Sequence, residues 1–75
     1  MKYGIYVIRD LKVGYMGLTL DMNDQSAMRN FEHAMSKEDS LMFSHPKDFS
    51  LYCLGMYDSD TGEIISLDKR LIMEG

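Results

Sequence analysis

The sequence predicts an α+β domain, a ββαββ antiparallel sheet with one helix on one face, assembled as a homodimer. Three observations lead there. Two stretches, residues 2–20 and 49–67, alternate with the period of two that strands show. One stretch between them repeats with the helical period. The strands are apolar on both faces, which is more than one helix can shield.

Each element has its own signal. Lys2 to Arg9 sets Tyr3, Ile5 and Val7 against Gly4, Tyr6 and Ile8. Asp10-Leu11-Lys12 is a short turn, and Val13 to Leu20 is the second strand. Its glycines, Gly14 and Gly17, suggest a bulge or a close backbone approach. Asn23 or Asp24 then offers a side-chain oxygen to the first free helical amides. Ala27, Phe31, Ala34 and Met35 form one helical face, so the helix runs from about Gln25 to Met35 or Lys37. Leu41-Met42-Phe43 pins the following connection, and His45-Pro46 reads as an extended kink. Phe49 to Tyr57 and Glu63 to Leu67 are the second strand pair, closed by Asp58–Gly62 with Gly62 at positive φ. Leu71, Ile72 and Met73 dock either as a last strand or as a short helical turn.

Seventy-five residues make one domain, residues 1–75. A chain this short has a marginal core. One cysteine cannot close an internal disulfide, and no cysteine–histidine cluster has zinc spacing. Self-association is the remaining common aid. No signal peptide or bilayer-length apolar run is visible, so the expected location is the cytoplasm, without membrane contact.

The net charge is −4, unevenly placed: residues 1–20 balance at +2 and the remainder at −6. Such asymmetry is a hint of a polyanion-facing side; it is also what chance produces in a small chain. No cofactor and no catalytic site is expected. Asp58-x-Asp60-x-Gly62 begins like a calcium loop but has glycine at its fifth position and no spaced terminal glutamate. His33, His45 and Cys53 match no ligand or nucleophile pattern. Cys53 reads as a small buried hydrophobe. Met16, Met28, Met35 and Met56 read chiefly as fillers of irregular core gaps, and methionine also suits adaptable binding surfaces.

The N-terminal hairpin carries a second pattern. Tyr3, Tyr6 and Tyr15 are interleaved with Lys2, Arg9 and Lys12. Aromatic rings stack on unpaired bases and cations follow phosphates, the combination used by sequence-tolerant single-strand binders. The need of a small domain for apolar area favours the other reading, in which the same tyrosines pack the core or a dimer interface. Arg29, on the exposed side of the helix, either pairs with Glu32 at i+3 or contacts phosphate.

Asn23-Asp24, Ala27, Arg29 and Phe31, then His45-Pro46, Asp48-Phe49, Leu51-Tyr52, Leu54-Gly55, Tyr57-Asp58 and Thr61-Gly62 complete the pattern. In this order they resemble the small nonstructural protein of gokushoviruses, microviruses with circular single-stranded DNA genomes. The likeness runs from about Tyr3 to Ile65. It departs at Met16-Gly17-Leu18, where related sequences often have proline. The resemblance implies a nonstructural, DNA-binding role in the switch from duplex replication to single-strand synthesis and packaging, with no catalytic residue to carry over. The expected activity is therefore sequence-independent binding of single-stranded DNA by a dimer, through Lys2, Tyr3, Tyr6, Arg9, Lys12, Tyr15 and Arg29. The alternative is an adaptor that binds a viral or host replication protein without touching DNA, which the acidic charge and methionine content favour.

Overall fold

The computed structural model describes all 75 residues. The elements are β1 (Lys2–Asp10), β2 (Gly14–Asp21), α1 (Asp24–Met35), a single turn α2 (Leu41–Ser44), a 3₁₀ turn (Pro46–Asp48), β3 (Phe49–Asp58) and β4 (Ile64–Glu74). They form one antiparallel sheet in the order β2-β1-β3-β4. The α+β class and the ββαββ order are those expected from the sequence. Leu71, Ile72 and Met73 belong to β4, so the last strand runs longer than the alternation up to Leu67 shows.

Local chemistry explains the boundaries. Asn23 caps α1: its side-chain oxygen accepts from the Ser26 amide at 2.8 Å. Ser40 does the same for Phe43 at the start of α2. Pro46 occupies the first position of the 3₁₀ turn, where its missing amide costs nothing. His45 precedes it with φ −132° and ψ 57°, so the kink is real but leads directly into a turn rather than an extended segment. Asp48 contributes through its backbone, its carbonyl accepting from Leu11 N–H at 2.9 Å.

The sheet is irregular where the glycines stand. Between Val7↔Leu18 and Arg9↔Tyr15, Ile8 alone faces both Met16 and Gly17, which is a bulge in β2. A second lies at Leu54, between Tyr6↔Cys53 and Ile5↔Gly55. There the β4 backbone closes in: a Cβ on Gly55 would stand 2.2 Å from the Ile65 carbonyl oxygen.

The core lies between α1 and one sheet face. Tyr6, Ala27, Phe31, Met42, Phe49, Leu51 and Cys53 form it, with Met28, Met35, Ile72 and Met73 packed around it. Cys53 is buried, as the sequence indicates, and Phe49 is buried with it. Met16 is not a core filler; it is half exposed on the outer strand β2, because the bulge turns that segment away. Of Leu41, Met42 and Phe43 only Met42 is buried.

The molecule is long and thin, 40 × 20 × 16 Å. Its radius of gyration of 12.7 Å exceeds the ~11.3 Å typical of this length. α1 is shorter than the sheet, so the β3–β4 end projects beyond it. No helix is long and apolar enough to cross a membrane.

The two glycine sites separate packing from flexibility. Gly55→Ala should lower the stability by more than about 2 kcal/mol, since backbone must move to admit the methyl. Gly17→Ala meets nothing within 4 Å and should stay within about 0.5 kcal/mol of the parent. Urea unfolding of both variants checks the contrast.

Candidate nucleic-acid interface

Cross-strand partners share a sheet face, so the register assigns the side opposite α1. Leu20, Ile5 and Gly55 lie in one row there; Leu18, Val7, Tyr52 and Leu71 in the next; Tyr15 and Arg9 in a third. No secondary-structure layer covers this face. Yet Val7 is only 1% exposed and Ile5 7%.

Side chains of the flanking strands supply the cover. Tyr15 stands on β2 and Tyr52 on β3, with β1 between them. Their ring centroids are nevertheless only 6.1 Å apart, edge to face. The rings must therefore meet above β1, roofing Val7. Arg9 lies over the Tyr15 ring at 5.8 Å. From β4, Lys69 lies 5.0 Å from the Tyr15 ring centre and 5.2 Å from that of Tyr52. Its ammonium also donates a hydrogen bond to the Tyr15 hydroxyl. The quadrupole of each ring favours cations so placed.

Charge pairing sharpens the picture. Neither Arg9 nor Lys69 has a carboxylate partner. Arg70, next in sequence to Lys69, points the other way. It binds Asp24 at 3.0 Å, and Asp24 also accepts from the Tyr6 hydroxyl at 2.7 Å. The Arg70 hydrogen bond, then that from Tyr6, holds the Asp24 carboxyl below its usual range. Burial, reinforced by the bond to Asp24, raises the Tyr6 hydroxyl well above its own. At the far end of the sheet the Asp60 amide lowers the Asp58 carboxyl, with Lys2 a minor contributor.

The sequence-indicated residues thus separate. Arg9 and Tyr15 come together on the open face. Tyr3 lies further along it, half-buried and paired with Tyr57. Lys2 is exposed at the start of β1, opposite Asp58. Lys12 is exposed in the β1–β2 turn, its amide bonded to Asp10. Tyr6 does not belong to the surface group. It is 2% exposed, in the core under α1, with its hydroxyl committed to Asp24. One residue of strand period separates it from Ile5 and Val7, and that sends it to the opposite face. Arg29 lies on α1, away from the Tyr15 cluster, in a shallow groove that Tyr3, Leu20, Asp21 and Met22 also line. It forms no ion pair with Glu32.

Tyr52 and Lys69 are the members that sequence reading missed. Tyr52 sits in a run apolar on both sides, where nothing marks the solvent face. Lys69 falls in the segment whose strand character was open. Extending β4 by its alternation Lys69, Leu71 would have placed both on one face.

A family model described as Phage ORF5 protein matches residues 3–75. The chain belongs to the Phage ORF5 protein family. No curated protein and no solved structure matches it. The family identifies a phage protein, and the match runs from Tyr3 in β1 through the end of β4, including the Tyr15, Tyr52 and Lys69 positions of this phage protein.

Asp24 makes a pH-dependent latch between α1 and β4. Its folded-state pKa is depressed, so its contribution is present above the unfolded carboxylate value of about 3.9 and is lost as pH falls through the folded value. Asp24→Ala should cost about 1–3 kcal/mol at neutral pH by leaving the Tyr6 hydroxyl without a partner. The difference from the parent should shrink below about pH 4. Tyr6→Phe in the Asp24→Ala background should recover part of the loss. Thermal unfolding across pH measures all three.

Proposed function

We propose that this phage protein is a non-enzymatic accessory factor that binds single-stranded DNA without sequence preference, through the open sheet face. It acts in the host cytoplasm during replication or packaging of a gokushovirus-type genome. The observation that carries this reading is the Tyr15–Tyr52 pair flanked by Arg9 and Lys69, two cations with no carboxylate to neutralise them. Exposed aromatic faces stack on any base, and free cations meet the phosphates between bases. Tyr15 keeps 48% of its surface open for that contact.

The chain's net charge of −4 opposes a polyanion as a whole. Attraction is therefore local, and affinity is expected to be modest for one chain. With two phosphates neutralised, log K should fall with log salt at a slope of about −1.4. An adaptor role is favoured by one feature, the exposed Leu41 and Phe43 on α2. A protein partner captured in stoichiometric amount after nuclease treatment would support that alternative.

Fluorescence anisotropy with a labelled oligothymidylate at low salt tests the DNA reading. Binding is expected in the micromolar range. Tyr52→Leu should weaken it about 5- to 150-fold, the equivalent of one stacked base at 1–3 kcal/mol. Arg29→Ala, on α1 and away from the Tyr15 cluster, should leave it unchanged. No binding at tens of micromolar protein would end this reading.

A further inference from the structure

The open face has two unlike ends. Arg9, Tyr15 and Lys69 occupy one. Toward the other, the register places Tyr3, Leu20, Ile5, Tyr57 and Ile64 with no charged side chain among them. Leu20 is 49% exposed and Ile64 68%. We propose that a second copy of this chain packs on this aliphatic end, across Leu20, Tyr57 and Ile64, leaving each Tyr15–Tyr52 cluster at an outer end of the pair.

Three observations favour a copy over another occupant. First, the surface is larger than one chain needs. The accessible area is 5235 Å², against about 4,700 Å² for a compact monomer of 8.7 kDa. The surplus of about 500 Å² is over half of the ~800 Å² that each partner buries in a standard interface. Secondly, the fold has little else to hold it. Ten of 75 residues are buried, the one cysteine is free, and no three metal-ligating side chains lie together. A requirement set by folding must be met wherever the chain is made, and only its own copy is always present in equal amount. Thirdly, the charges choose the overlap. Stacking the whole faces would set Arg9 and Lys69 against their copies, an unfavourable like-charge contact. Shifting the two-fold axis to the uncharged end removes it, and gives two sheets packed face to face with helices outside.

This assembly forms without nucleic acid, so it stands or falls separately from the proposed DNA binding. Sedimentation equilibrium of the full chain without oligonucleotide is the test. The expected mass is twice 8.7 kDa at micromolar concentration. Leu20→Glu should weaken the dimer at least about tenfold, since its two copies meet near the axis. Val13→Glu, in the β1–β2 turn and 84% exposed, should leave it unchanged. A monomer throughout the micromolar range would overturn the proposal; so would a binding partner of another sequence that is needed to fold the chain. Equal loss from both variants would overturn it too. Should Leu20→Glu not fold, amide exchange of the unaltered chain decides. Protection of β2 and β4 that falls on dilution supports the dimer, and protection independent of concentration overturns it.

Discussion

β1 lies near the middle of the sheet with apolar side chains on both sides, and every other feature of the molecule is an answer to that constraint. On one side Tyr6 and Ile8 meet Phe31 and Ala27 of α1. On the other, Val7 is sealed by rings that reach across from neighbouring strands. The first solution is an ordinary helix-on-sheet core. The second uses large side chains in place of a layer. Aromatic residues suit it because each brings ~150–250 Å² of coverage on two rotatable bonds. The roof that protects Val7 is thereby also an exposed aromatic surface, held in place by cations that no carboxylate satisfies.

Two neighbouring residues of β4 show how strand alternation divides labour. Arg70 faces α1 and joins Asp24 and Tyr6, fastening the last strand to the helix. Lys69 faces the other way, onto Tyr15 and Tyr52. The pair is chemically alike, yet one cation is used in folding and the other stays available. Exposed salt bridges contribute little by themselves. The Asp24 bridge matters more because it also satisfies the hydroxyl of a buried tyrosine.

Much of the fold was legible because the relevant signals are local. Asn23 before a helical stripe, Gly62 in a polar turn and Gly17 in a strand each announce a backbone event within a few residues. The side of the sheet on which a tyrosine lies was not legible in the same way. Both faces of β1 and β3 are apolar, so composition does not distinguish the helix-covered side from the open one. Tyr6 and Tyr15 therefore looked equivalent, although one is sealed beneath α1 and the other roofs Val7. Only the register, set by the bulges at Met16–Gly17 and Leu54, separates them. Lys69 was hidden for a related reason: its role depends on residues 54 positions away in sequence, on the far edge of the sheet.

The proposed DNA binding uses the open sheet face of this phage protein rather than the helix layer. Mapping backbone amide shifts by NMR during titration with an oligothymidylate addresses that most directly. The expected result is a coherent set of changes at Val7, Arg9, Tyr15, Tyr52 and Lys69, with α1 silent. Changes centred on α1, or none anywhere on the sheet, would contradict it.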